Sequence, residues 1–268
     1  MHISLSGQTR MPDFIANRPS DVPTRETLGF LKSHVPVGAN ILEIGCGEGQ
    51  VASELLSHGY HVTALDSDPE VIARARKRGV PAVLGSWPQF GSGLFFDAIA
   101  FTRSLHHIGA LDEAIARARE LLEPTGLLLI EDFSFEDADE ATIDWFVSVL
   151  RSKDGTALIK PVPGQLVTEL LSSKDLWATW QDNRGNDLHA ITTMAEAIAE
   201  HFVVRETHSV PYLYRYLIPV LAENSDAAAF VDQVLQQELR LGQRRQVVLI
   251  GRRIVASLLS QPAGRCDD

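Results

Sequence analysis

Cysteine is almost missing from this chain: Cys46 and Cys266 are the only two in 268 residues. One lies in a glycine-rich stretch and the other in the polar run QPAGRCDD, so neither a disulfide framework nor a Cys/His metal spacing can be built from them. No metal is expected, and such sparing cysteine use fits a reducing, cytoplasmic location. The sequence also lacks any apolar run near the ~20 residues that cross a bilayer, and MHISLSGQTRMPDF has no apolar centre of a secretory signal. Neither a membrane span nor a leader is expected. Internal repeats, low-complexity segments and long charge blocks are absent too. Finally there is a shortage of positive charge, 24 Lys+Arg against 35 Asp+Glu, for a formal net charge of −11. That balance opposes a broad phosphate-tracking surface, so a small molecule is expected as partner and no nucleic acid. Nothing here predicts the oligomeric state.

What is present is an ordinary globular composition, 45% hydrophobic and 22% charged, in which Gly and Pro punctuate alternating apolar runs and amphipathic stretches. NILEIG, HVTALD, PAVLG, FFDAIAF and LLLIEDF read as short buried strands. GQVASELLSHG, SDPEVIARARKRG and LDEAIARARELLEPTG read as the helices between them, with Pro69 near one start and Gly59 and Gly79 beyond two ends. Strand and helix in series predict an α/β fold, a doubly wound, mostly parallel sheet covered on both faces. PTRETLGFLKSHV precedes it as a helix. Beyond it DADEATIDWFVSVLRSK, TTMAEAIAEHF and DAAAFVDQVLQQELRLG read as helices, VVRETHSVPYLYRYL as containing a strand, and RRQVVLIGRRIVA as a late strand. The expected organisation is an N-terminal helical cap over 1–37, a ligand-binding core over 38–133, a helical insertion or lid over 134–200, completing strands and a helix over 201–260, and a flexible tail over 261–268.

The stretch ILEIGCGEGQ, residues 41–50, carries the chemistry. A strand turning into a helix through glycines offers backbone N–H groups and the positive end of a helix dipole to a ligand. A dinucleotide loop, G-x-G-x-x-G, would need glycine where Gln50 stands, and no Gly-Lys-Ser/Thr follows, so nicotinamide chemistry and nucleotide hydrolysis are both disfavoured. Glu43, Gly45, Gly47 and Gly49 instead spell E-x-G-x-G-x-G. With Asp66 closing the second strand, FDAIAFTRSLHHI and ARELLEPTGLLLIEDF, this order resembles the motifs of class I S-adenosylmethionine-dependent methyltransferases of the small-molecule type. The resemblance spans residues 38–133. It implies a Rossmann-like sheet with a late antiparallel strand inserted near one edge, helices covering the substrate side, and S-adenosyl-L-methionine as cofactor. It further implies that Glu43 orients the methionine end, that the backbone of Gly45, Cys46, Gly47 and Gly49 approaches it, and that Asp66, with Ser67 beside it, binds ribose. Backbone groups near Phe101 and Thr102 would flank the amino-acid moiety. Where many relatives carry an acidic residue for adenine, this chain has Ser86, which can hydrogen-bond the base, and Trp87, which can cover its face.

Substrate-side candidates follow from residue chemistry. His106 and His107 titrate near neutrality beside the expected transfer centre and are the candidate general bases, the alternative being that they only shape the pocket. Arg103 could pair with a substrate carboxylate or be structural. Tyr212, Tyr214 and Tyr216 share one face if their segment is a strand, and Tyr212 and Tyr214 are taken as substrate contacts. Trp145, Trp177 and Trp180 read as packing anchors. The expected reaction is in-line methyl transfer to a small molecule. A protein or RNA methyltransferase, or a non-catalytic cofactor-binding regulator, are the alternatives.

Overall fold

The computed structural model describes residues 16–91, 93–184 and 189–259. The tail at 261–268 with Cys266, and the first fifteen residues of the expected N-terminal cap, lie outside the described residues. In chain order the elements are α1 (Asp21–His34), β1 (Asn40–Ile44), α2 (Gln50–Ser57), β2 (His61–Asp66), α3 (Pro69–Lys77), β3 (Ala82–Leu84), β4 (Phe96–Thr102), α4 (Leu111–Leu121), β5 (Leu122–Phe133), α5 (Glu140–Leu150), α6 (Lys153–Leu158), α7 (Leu166–Ser172), α8 (Leu176–Asp182), α9 (Ile191–His201), β6 (Phe202–Val210), α10 (Ser225–Gln243) and β7 (Gly251–Leu258).

The strands form one sheet in the order β3-β2-β1-β4-β5-β7-β6. β1 to β5 pair in parallel, and β7 runs antiparallel to both β5 and β6. This is the doubly wound sheet with an inserted late antiparallel strand that the motifs imply. β1 sits near its centre, and Ile41, Leu42, Glu43 and Ile44 are all buried, as a strand covered on both faces requires. α3 begins where the sequence says it should: the Asp68 carboxylate accepts from the backbone N–H of Glu70 and Val71, and Pro69 occupies the first turn.

Packing divides into three clusters. One face of the sheet buries Leu28, Leu31 and Ile72 of α1 and α3, with Leu55 of α2. The other face is covered by Ile115 of α4 and Met194 of α9. The third cluster joins α5, α7, α8 and α10 around Phe135 and Trp180, whose rings stack at 4.0 Å and 1° interplanar angle. Trp180 is fully buried, in keeping with an anchor.

Four expectations need correction. α4 ends at Leu121, five residues short of Gly126, because the residues before Pro124 are pushed out of helical geometry. The late strand begins at Gly251, whereas RRQVVLI precedes it outside any strand. Among the described residues of 134–201 there are five α-helices where two were expected, since α6, α7 and α8 are too short to display a helical period. And the tyrosines at 212–216 are not on a strand: β6 stops at Val210 and a 3₁₀ helix follows over Leu213–Val220. Pro211 has no N–H to continue a ladder, and Glu238 of α10 takes the backbone N–H groups of Tyr212, Leu213 and Tyr214 at 2.8, 3.1 and 3.3 Å.

Candidate functional site

The glycine loop leaves β1 at the carboxyl edge of the sheet, where crossover connections place ligand sites. Its three glycines answer three different demands. A side chain at Gly45 would lie 2.3 Å from Ser104 Cβ, so this glycine admits the loop after β4, whose Ser104 hydroxyl donates to the Ile44 carbonyl at 2.5 Å. A side chain at Gly49 would meet Ala75 and Val80 at 3.0 and 3.1 Å, so this glycine seats the loop against α3. Beside Gly47 there is only open space, and its φ of +54° exposes backbone to the cavity above.

Two carboxylates frame that loop. Asp66 ends β2 and is held rigidly: one oxygen accepts from Gly47 N–H at 2.9 Å and the other from Asp68 N–H at 3.0 Å. Each oxygen keeps lone pairs for a further donor. Glu43 is 1% exposed, yet its side chain lines the cavity of about 390 Å³ that also reaches Gly45, Cys46, Gly47 and Thr102. Its Oε1 accepts from the Thr102 hydroxyl at 2.9 Å, while Oε2 has no partner. Burial pushes the Glu43 carboxyl up to about 7, against the Thr102 hydrogen bond, the Arg103 charge and the Ala52 backbone N–H, which acts on the carboxyl without reaching hydrogen-bond geometry at Oε2. Burial, with Glu43 and Asp66 nearby, likewise pushes the Cys46 thiol up to about 12, which leaves it a packing group with no thiolate chemistry.

A second cavity of about 500 Å³ continues from Gly45 and Asp66 over Ser67, Ser86, Trp87 and His107. The Trp87 indole N–H donates to the Ala114 carbonyl at 3.2 Å, which fixes the ring as a wall. Arg103 and Gly45 line both cavities, so the two are halves of one cleft.

On the far side of the cleft, three arginines converge on Glu131 of β5. Its Oε1 accepts from Thr27, Arg215 and Arg103 at 2.5, 2.7 and 3.3 Å, and its Oε2 from Arg253 at 2.8 Å. Burial alone would raise this carboxyl, but Arg215, Arg253 and Arg103 outweigh it and hold it down at about 2. Arg103 itself sits at φ +63°, a left-handed conformation in a residue with a side chain, the kind of local strain that gathers at functional sites.

The two histidines occupy the short 3₁₀ turn Leu105–His107 and face different ways. His106 is 5% exposed, and its Nδ1 lies 2.5 Å from Asp132 Oδ1. Donation from Nδ1 to that carboxylate leaves Nε2 as the basic nitrogen. Its ring packs edge-on against Phe133, which stacks on Tyr212 at 4.5 Å. His107 lines the Ser86 side of the cleft, where burial and the neighbouring His106 lower its pKa.

The structure therefore brings Glu43, Gly45, Cys46, Gly47, Asp66, Ser67, Ser86, Trp87, Thr102, Arg103 and His107 to one cleft, with Tyr212 at its far wall. Phe101 is buried in the sheet and offers only its backbone. Tyr214 does not line the cleft: it is 1% exposed, packed under the Arg215 guanidinium, while Tyr216 reaches the cavity in its place. A 3₁₀ helix separates residues that a strand would align. Sequence reading passed over Arg215, Glu131, Asp132 and Ser104. Only Asp132 had a local signal, standing at the end of a predicted strand on the ligand edge. Among the described residues no group of three His, Cys, Asp or Glu is placed to hold a metal ion.

Known proteins share the sequence pattern and the fold. A family described as a methyltransferase domain matches residues 16–184. An uncharacterized methyltransferase of Mycobacterium bovis is 33% identical over 114 residues, 39% of this chain and 56% of that protein. The ubiquinone biosynthesis O-methyltransferase of Xylella fastidiosa is 32% identical over 117 residues, 38% of this chain and 46% of that one. The chain thus spans about half the length of the curated relatives it matches. In fold it is similar to a putative sarcosine dimethylglycine methyltransferase from Galdieria sulphuraria, with a TM-score of 0.54 and 15% identity over 89% of this chain and 86% of that one. A match that begins ahead of the first helix, crosses the glycine loop and the carboxylate of β2, and ends within the helices beyond β5 covers more than half the sequence, and the chain belongs to the methyltransferase-domain family.

Proposed function

We propose that this chain is an S-adenosyl-L-methionine-dependent methyltransferase acting on a small molecule. The observation that carries the proposal is the unpartnered Oε2 of buried Glu43, lining a cleft beside the open backbone of Gly47. A buried carboxylate oxygen with no partner is costly unless a donor arrives, and an ammonium group is the donor that fits. Asp66, pre-aligned by two loop N–H groups, suits a vicinal pair of hydroxyls, and Ser86 with the Trp87 ring suits an adenine. Ser67 borders the same cavity, Cys46 and Gly49 contribute backbone shape, and the main chain of Phe101 and Thr102 flanks the amino-acid end.

The cofactor, when bound, supplies a methyl group already activated on a sulfonium. The protein's work is alignment, which can contribute about 7–11 kcal/mol where geometry is good. His107 lines the cleft as pocket wall, while His106, 5% exposed and lining neither cavity, packs behind it. Steered by Asp132, His106 is the candidate base if the acceptor must lose a proton. The Xylella relative's name specifies O-methyl transfer in ubiquinone biosynthesis, which favours a small-molecule acceptor here. The acidic charge balance and the cysteine usage support a cytoplasmic protein with no nucleic-acid partner, and no described helix is long and apolar enough to cross a membrane. Residues 134–200 are proposed as the cover over the acceptor side.

Calorimetry with S-adenosylhomocysteine tests the reading. Saturable binding is expected, with Asp66→Ala weakening it by about tenfold or more. Folded protein that shows no saturable binding would overturn it.

A further inference from the structure

We infer that the acceptor carries a carboxylate, held by Arg215 and Arg103 in the cavity next to Glu43. The inference rests on the methyltransferase reading and names the class of its substrate.

Arg215 lies at the base of the cavity, in the 3₁₀ helix, with its side chain nine-tenths buried. One of its Nη atoms donates to Glu131 and approaches Thr27. Its Nε is enclosed without a partner, and no hydrogen bond among the described residues engages the other Nη. The guanidinium is clamped in place by the rings of Tyr212 and Tyr214, at 5.7 and 5.3 Å. Arg103, which lines the same cavity and shares Glu131 Oε1 with Arg215, commits only Nη1 to that carboxylate.

Glu131 cannot absorb this charge. Three guanidiniums share one carboxylate, and Arg253 alone occupies the second oxygen. Among the described residues Glu43 is the one carboxylate that lines that cavity, and its raised carboxyl is largely protonated below neutrality; Glu26 acts on Arg215 from outside the lining. Two planar cations with free donors, fixed in a space of about 390 Å³, match a carboxylate by paired N–H···O bonds. Flanking tyrosine rings at Tyr212 and Tyr216 give the rest of a small acceptor an apolar wall.

The methyl donor has a carboxylate of its own, so the experiment must separate the two sources. Arg215→Met is the informative variant, because Glu131 keeps Arg253 and Arg103 as partners and thermal unfolding can verify the fold. Methyl transfer from labelled donor is measured over a panel of small hydroxy- and amino-carboxylates, each beside its primary amide, and S-adenosylhomocysteine affinity is measured by calorimetry. The expected result is that the best acid exceeds its amide by about 100-fold in kcat/KM. Arg215→Met should raise the KM of that acid about tenfold or more, with Arg215→Lys recovering part and S-adenosylhomocysteine affinity unchanged within about twofold. Amides used as well as acids, or no acid methylated, overturns the inference. So does a loss of S-adenosylhomocysteine affinity in Arg215→Met, which would give the arginine to the donor's carboxylate. Failure of the unmodified protein to bind S-adenosylhomocysteine would instead remove the methyltransferase reading, and this inference with it.

Discussion

Glu43 and Glu131 are both buried glutamates on neighbouring parts of one sheet, and they are shifted in opposite directions. Glu131 is surrounded by guanidiniums, so its negative charge is stabilising. That contribution is complete above the ordinary carboxylate range and is lost progressively as pH falls from there through about 2. For Glu43 the Thr102 hydroxyl, the Arg103 charge and the Ala52 backbone N–H do not offset burial, so its carboxyl rises to about 7. Between the ordinary value and about 7 the folded chain then binds more protons than the unfolded one, and ligand-free stability falls as pH rises. Two outcomes are expected of Glu43→Gln. The ligand-free variant should be more stable than the parent above pH 7, by on the order of 1–3 kcal/mol, measured by denaturant unfolding. S-adenosylhomocysteine affinity of the parent should weaken below about pH 7, where the carboxyl is neutral, and the variant should bind weakly at every pH. A variant that matches the parent in both would mean that Oε2 meets no ligand. Replacing His106 by Ala, with Asp132 left in place, should lower kcat by about 10²–10⁴ for an acceptor that loses a proton, and leave S-adenosylhomocysteine binding intact. An unaltered rate–pH profile would remove His106 as base.

Among the elements, the segment from Pro211 to Val220 is the one whose form most affects the site. Its direction depends on Glu238 in α10, a fully buried carboxylate bound by three consecutive backbone N–H groups. Burial nonetheless outweighs those bonds and raises the Glu238 carboxyl to about 7. Glu238→Ala would orphan the buried N–H groups and should destabilise the protein by about 2–4 kcal/mol, read from unfolding midpoints. Because Tyr212 and Arg215 ride on this segment, acceptor KM should rise more than donor affinity falls. Glu238→Gln keeps an accepting oxygen and should lie between. None of this was readable locally. The alternation V-P-Y-L-Y-R-Y-L suits a strand by period, and only a carboxylate 24 residues later along the chain turns it into a 3₁₀ helix. The same limit applies to α6, α7 and α8, which are held by packing around Trp180 and carry too few turns to announce themselves.

For the molecule as a whole, a ligand that binds only the folded state must stabilise it. S-adenosylhomocysteine at about 100 times its Kd should add about 2.7 kcal/mol and raise the unfolding temperature by roughly 5–10 °C. No rise at saturation would contradict a donor site in the cleft. With a formal net charge of −11 spread over the chain, association with RNA should not reach saturation at micromolar protein, and a saturable shift in a gel assay would reopen the nucleic-acid alternative.

The sequence by itself determined which residues are proposed for the donor half of the site. Each of its parts sits in a strand end or the turn just after it, so Glu43, Gly47, Asp66, Ser86 and Trp87 were visible as short patterns whose geometry follows from βα units. It also determined the parallel sheet, because buried strands and amphipathic helices have different periods. Only the tertiary structure brought together the residues proposed for the acceptor half. Arg215 meets Glu131 across 84 residues and His106 meets Asp132 across 26, and no local pattern encodes such pairings. Even in the glycine loop the structure redistributed the reasons. Gly45 yields to Ser104 and Gly49 to α3, and Gly47 alone is left for the ligand, because steric demand comes from neighbours that the motif does not contain.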